Sequence, residues 1–220
     1  MSLPTGRSVP LSPGRRFVID VMHFSQGVPL VTVERRVNLA EVAAARVAGE
    51  PRIGWFAIFL KAFSLAAREH PDLRRSFLSV PYRRLHEHAA SVACVTVERE
   101  HEGEAAVFVI QIREPDRLPL ERIAQQLHRA KTAPIREVSE FRRIVRLARL
   151  PLPLRRLAWW LTLRAIPRWR EKYIGTFVAS STVSAGGEVV SALTPLTTYF
   201  TVGPVSETGE ATLRLMFDHR

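Results

Sequence analysis

The sequence is poor in residues that staple a chain or cage a metal. It has one cysteine, Cys94, among 220 residues, so it can close no internal disulfide and build no cysteine-based metal cage. An oxidising compartment therefore has no support, and the expected location is the cytoplasm. No apolar run approaches the ~18 residues of a membrane span. Residues 1–14 carry Pro4, Pro10 and Pro13 and no long apolar stretch, which reads as a flexible N-terminal segment and not as a secretory leader. No glycine-rich loop follows a predicted strand, so nucleotide-binding folds are weak readings. Zinc spacing and a paired aromatic strand signature are both missing, and nucleic acid is not a favoured partner. His86 and His88 flank Glu87 at a spacing of two with no evident third ligand, so no metal is expected and both read as surface residues.

What is present describes one domain of ordinary size. The chain is 46% hydrophobic and 24% charged, enough to bury a sizeable core. Its net charge is +11, and 13 basic against 3 acidic residues between Arg129 and Lys172 account for +10 of it. These basic residues are nearly all arginine, since Lys61, Lys131 and Lys172 are the only lysines. Trp159, Trp160 and Trp169 fall in the same stretch. Residues 129–172 read as an arginine-rich helical insertion within a domain spanning 15–220. A solvated arginine face is the plain reading; an anionic membrane surface is the alternative that the tryptophans suggest.

The pattern along the chain mixes helices and strands. Arg15–Phe24 reads as a short helix and Val28–Val37, rich in β-branched residues, as a strand. Asn38 with Glu41 three positions on makes a capping-box pattern for a helix ending near Gly49 and Pro51. Trp55–Ala67 is apolar on nearly every face, which predicts a buried helix stopped by Pro71. Val92–Glu98 and Ala105–Ile112 flank His101-Glu102-Gly103 and predict a hairpin. Leu120, Ile123, Ala124 and Leu127 have helical spacing. The basic segment offers one or two helices, broken around Pro151 and Pro153 and stopping near Pro167. Strands at Gly175–Val183, Thr197–Val205 and Ala211–His219 close the chain. The fold class is α+β, a two-layer α/β sandwich with a mixed β-sheet.

In the last strand Leu213, Leu215, Phe217 and His219 share one parity, which predicts an inward-facing, partly desolvated histidine. Position alone reads as a core histidine. Phe217-Asp218-His219-Arg220, however, resembles the active-site motif of the dihydrolipoamide acyltransferases, the transferase components of 2-oxo acid dehydrogenase complexes. Gly175-Thr176-Phe177-Val178-Ala179-Ser180-Ser181 resembles that family's serine-bearing strand, at about the usual separation from the histidine. Ser25, Pro29 and Thr32 resemble the start of the catalytic domain; Phe59-Leu60-Lys61-Ala62 and Pro71-Asp72-Leu73 resemble its buried helix and that helix's end. The resemblance runs from about Arg15 to Arg220.

The resemblance implies a chloramphenicol acetyltransferase-like fold and acyl transfer between coenzyme A and a thiol such as dihydrolipoamide. It assigns His219 as general base and Ser180 as oxyanion donor. It implies acyl-coenzyme A as co-substrate, no covalently bound cofactor, and a homotrimer or multiple of trimers in which the histidine reaches a neighbour's serine. A thiol of ordinary pKa near 8.5 is ionised at about one molecule in thirty at pH 7, so thiol chemistry gains from a base with histidine's ordinary pKa. The family's His-x-x-x-Asp-Gly signature is cut after Arg220, and Leu73-Arg74-Arg75 and Ser181 also depart from the pattern. The chain is accordingly expected to be C-terminally truncated, with a fold-retaining inactive homologue as the alternative. Two other readings stand beside the first: a non-catalytic trimeric scaffold that binds a membrane or partner, and an O- or N-acetyltransferase of the chloramphenicol acetyltransferase kind. Cys94, in mid-strand, reads as a small core residue.

Overall fold

A computed structural model describes residues 6–181 and 189–220. Helix α1 (Pro13–Ser25) starts where the Ser12 hydroxyl accepts the Arg15 N–H at 3.3 Å and Pro13 takes the first turn. The segment 6–12 ahead of it has no regular structure, but Pro13 and Gly14 are helical and Gly14 is buried, so the expected flexible stretch ends earlier than residue 14; residues 1–5 lie outside the described residues. Strand β1 (Leu30–Asn38) leads to α2 (Ala40–Ala48). The Asn38 side chain accepts the Ala40 N–H at 2.9 Å, but Leu39 is the cap residue and its own side chain makes no capping bond, so the capping box does not form. Asn38 is still hydrogen-bonded in the sheet opposite Glu210, and this pairing holds it out of the cap.

Helix α3 (Trp55–Glu69) is followed by a single 3₁₀ turn (Pro71–Arg74) and a small hairpin, β2 (Arg75–Leu78) and β3 (Arg84–Glu87), which sequence patterning does not reveal. Strands β4 (Val92–His101) and β5 (Glu104–Arg113) form the expected antiparallel hairpin. Its two-residue turn has positive φ at Glu102 (55°) and Gly103 (79°), the geometry that suits twisted strands. After α4 (Leu120–Thr132) come three further helices, α5 (Ser139–Arg149), α6 (Leu152–Trp160) and α7 (Pro167–Tyr173). A π-helical turn, Leu161–Ala165, joins the last two. The helical run does break at Pro151, between Arg149 and Leu152, and stops at Ala165 before Pro167; Pro153 and Pro167 then sit in the first turns of the next helices, where a missing N–H costs nothing.

Three short strands close the sheet: β6 (Phe177–Ser180), β7 (Thr198–Val202) and β8 (Glu210–Asp218). Thr182 and Val183, read as part of the first of them, lie outside the described residues. Gly175 has φ 131°, and a Cβ there would lie 2.7 Å from the Val92 carbonyl oxygen, so only glycine lets the chain turn from α7 into β6. The sheet order is β1-β8-β7-β6-β4-β5, parallel at β4–β6 and β6–β7 and antiparallel elsewhere. This is the mixed sheet expected.

On one face Phe63 of α3 packs against Phe177 and Phe200, with ring centroids 4.5 and 5.0 Å away. Burying one such ring contributes about 2–3 kcal/mol. The same face continues onto β8 and β1, where Val31 and Val33 are exposed and Leu213, Leu215 and Phe217 are half-buried. There the described chain leaves an apolar face partly open.

Candidate active site

Ser180 ends β6, paired with Thr201 of β7 and buried. Its Oγ lies 2.5 Å from the Tyr199 hydroxyl on β7. Burial holds the Tyr199 pKa above its ordinary value, and the bond to Ser180 only partly offsets this. The phenol is therefore protonated at neutral pH and able to donate. Cys94 stands opposite Val178 on the next strand; burial pushes its thiol up to about 12, which excludes it as a nucleophile and fits the core reading.

Tyr199, Cys94 and Val178 line a cavity of about 600 Å³. Strands β4–β7 form its floor, and α1, α5 and α6 supply walls through Phe17, Ile144 and Trp159. The arginine-rich segment is thus more than a solvated face. Arg155 of α6 is buried on the fully buried Asp20 of α1, and Arg156 lies 3.3 Å from the second carboxylate oxygen.

His219 is exposed, which corrects the inward-facing expectation. The buried parity of β8 is the other one, with Arg214, Met216 and the Asp218 side chain. Strand alternation does place His219 with Leu213, Leu215 and Phe217, but that is the face left partly open. The His219 N–H donates to the Pro29 carbonyl at 3.1 Å, so backbone pairing continues past the end of β8.

The structure does not bring Ser180 and His219 together within one chain. Ser180 is level with Thr201, and Thr201 with Arg214. His219 is five residues further along and two strands over, a separation of roughly 19 Å from strand rise and spacing.

Around His219 the charge is positive. Arg220 grips Asp218 at 2.7 and 2.9 Å and lies over the Phe77 ring at 4.4 Å. Arg164 and Arg170 are close enough to feel the charge of the same carboxylate, so positive charge exceeds negative here. Arg170 is buried; burial first, then Arg164, pushes its pKa down to about 9, and it stays charged at neutral pH. It donates to Thr197 at 3.2 Å, while its Nε has no partner among the described residues. Nothing in the sequence marks Arg170, within a run of arginines, or Tyr199, within a run of β-branched residues.

His88 overturns its surface reading. It is fully buried, with Nε2 2.8 Å from Ser76 Oγ and Nδ1 3.4 Å from Glu171. Burial, then Arg170, His86 and Arg74, push its pKa down to about 3, so the ring is neutral. Glu171 can only accept, which puts the proton on Nδ1 and lets Ser76 donate to Nε2. The order serine–histidine–carboxylate is that of a hydrolase, but Ser76 and His88 have no exposed surface, so no substrate reaches them. The network ties the β2–β3 hairpin to α7. Among the described residues no group of three or more metal-ligating side chains gathers.

Comparison with known proteins follows this geometry. The family model "2-oxoacid dehydrogenases acyltransferase (catalytic domain)" matches residues 4–136. The truncated catalytic core of the 2-oxoacid dehydrogenase multienzyme complex from Thermoplasma acidophilum is similar in fold, with a TM-score of 0.68 at 16% identity over 98% of this chain and 89% of that one. Azotobacter vinelandii dihydrolipoamide acetyltransferase, studied for the roles of a serine, a histidine and an asparagine in its mechanism, gives 0.65 at 19% identity over 98% and 84%. A chloramphenicol acetyltransferase gives 0.50 at 13% identity over 96% and 87%, in keeping with the expected fold. No curated protein sequence matches the chain.

Proposed function

The chain belongs to the 2-oxoacid dehydrogenase acyltransferase catalytic-domain family, and from that premise we propose that it moves an acyl group between coenzyme A and a thiol such as dihydrolipoamide, with His219 as general base and Ser180 as oxyanion donor. The observation that carries the reading is the pair of half-sites: a buried serine hydroxyl backed by a protonated phenol, and an exposed histidine beside excess positive charge. The apolar face of Val31, Val33, Leu213, Leu215 and Phe217 supports association with a second copy, and we assign a homotrimer in which His219 of one chain meets Ser180 of the next. The Thermoplasma acidophilum relative, a core of a multienzyme complex, supports an assembly of this kind. We assign the protein to the cytoplasm, where a lone reduced cysteine is at home.

In this reading His219 takes the thiol proton of the acceptor as sulfur attacks the thioester carbonyl. A carbon–sulfur bond forms and the carbonyl π pair moves onto oxygen. Tyr199 donates to Ser180, which leaves the Ser180 hydrogen free to point at the oxyanion. Collapse expels the coenzyme A thiolate, which takes the proton back from the imidazolium. The guanidiniums of Arg164, Arg170 and Arg220 favour an anionic co-substrate near the base. The test is thiol release from acetyl-coenzyme A with dihydrolipoamide as acceptor. Ser180→Ala should cost about 10²- to 10³-fold in kcat; equal turnover by wild type and His219→Ala would remove His219 from the mechanism. Turnover with an alcohol or amine acceptor, and none with the thiol, would favour the chloramphenicol acetyltransferase kind.

A second reading has its own observation. Helix α6 exposes Leu152, Leu154 and Leu157 at 50–54%, and Trp160 at 40%, close in sequence to the exposed Arg142, Arg146 and Arg149. That combination fits an anionic lipid surface. Co-sedimentation with anionic vesicles that falls steeply with salt, and is lost on Leu154→Glu with Leu157→Glu, would support it. Arg155 is unsuited to such a test because it is buried on Asp20.

A further inference from the structure

We propose that the cavity beside Ser180 and Tyr199 is an acyl-chain pocket that takes a medium or long apolar acyl group; this rests on the acyltransferase reading for the chemistry at its polar end. A cavity of ~150 Å³ already holds a six-carbon ring. The cavity here is about 600 Å³, four times that, so on the same scale a chain of about a dozen carbons occupies roughly half of it and an acetyl group leaves it nearly empty.

Its wall chemistry selects the same ligand. Val109, Val178 and Ala158 face the space. Thr162 also lines it, but its hydroxyl donates to the Ala158 carbonyl at 2.7 Å, so it is satisfied within its own helix. Gln111, Glu140 and Arg143 line it too and are paired with one another, Arg143 donating to Gln111 Oε1 at 2.9 Å and lying 4.0 Å from Glu140, and the Thr194 hydroxyl accepts the Leu196 N–H at 3.1 Å. Tyr199 brings the Ser180 pair to the wall. Trp159 adds its ring to the wall, with its indole N–H buried away from the space. An apolar chain with one oxygen-bearing end satisfies these walls; a sugar or a nucleotide, with many polar groups, does not. The α1 wall and the β4 and β5 part of the floor lie within the residues matched by the family model, and the α5 and α6 walls beyond them.

The test is calorimetric titration of the whole chain with butyrate, octanoate and dodecanoate, beside thiol release from acetyl-, octanoyl- and dodecanoyl-coenzyme A. Affinity should rise about threefold to fourfold per added methylene up to dodecanoate, with a negative heat-capacity change. Ala158→Phe and Val109→Phe, each checked by circular dichroism, should cut the preference for dodecanoyl over acetyl at least tenfold. An affinity flat with chain length in the wild-type chain overturns the inference, whatever the variants do. Chain-length-dependent binding with no transfer from any acyl-coenzyme A upholds the pocket and overturns the acyltransferase reading. Acetyl transfer with flat binding overturns the pocket and leaves that reading standing.

Discussion

Ser180 Oγ and Tyr199 Oη lie 2.5 Å apart across the adjoining parallel strands β6 and β7. Either hydroxyl can donate in this pair, and when the phenol does so the serine hydrogen is free for the oxyanion of the proposed reaction. Tyr199→Phe keeps the ring and removes that donor. Steady-state kinetics should show kcat about tenfold lower with KM unchanged, the pattern of an interaction made in the transition state. A change confined to KM would instead make Tyr199 part of the binding surface.

The separation of Ser180 from His219 within one chain makes a prediction about mixtures. Ser180→Ala and His219→Ala chains, each nearly inactive alone, should recover activity when coexpressed, because some interfaces then join an intact serine to an intact histidine. Random mixing in a closed ring restores about a quarter of the sites. Recovery should track a trimer peak in light scattering. A dead mixture of well-assembled chains would argue for a site within one chain.

His88 predicts a pH dependence of stability. Its folded pKa is pushed down to about 3, against about 6.5 in the unfolded chain. Between those values the unfolded state binds a proton that the folded state refuses. The stability associated with neutral His88 is therefore whole above pH 6.5 and is lost as pH falls towards 3, by roughly 1 kcal/mol per pH unit. Urea melts from pH 7 to 5 should show this slope, and His88→Gln should flatten it.

Asp20 predicts how the arginine-rich helices are held. It is fully buried and carries the charges of Arg155 and Arg156. Asp20→Ala leaves two guanidiniums without their carboxylate and should cost about 3–5 kcal/mol in urea unfolding. Replacing Asp20 and Arg155 together by leucine and methionine should recover most of that loss. If Asp20→Ala melts like wild type, the helices are held by their apolar contacts alone.

Much of the architecture is legible along the chain, because it rests on local rules. Apolar spacing marks α3 and α4, β-branched runs mark β1, β4 and β5, and the Glu102-Gly103 turn marks their hairpin. Ser180 and His219 are legible only through their neighbours, Gly175-Thr176-Phe177 and Asp218-His219, since a lone serine or histidine carries no signal. Tertiary structure decided the rest. Strand alternation states which residues share a face, but not which face the helices cover, so His219 emerged on the open side and Met216 on the buried one. Prolines restrict a helix interior but not its first turn, so Pro153 and Pro167 open helices. The partners of His88, Arg155 and Tyr199 stand 12, 135 and 19 residues away in sequence, joined by packing alone. Burial and charge pairing are properties of the surroundings, and the sequence of one strand or helix does not contain its surroundings.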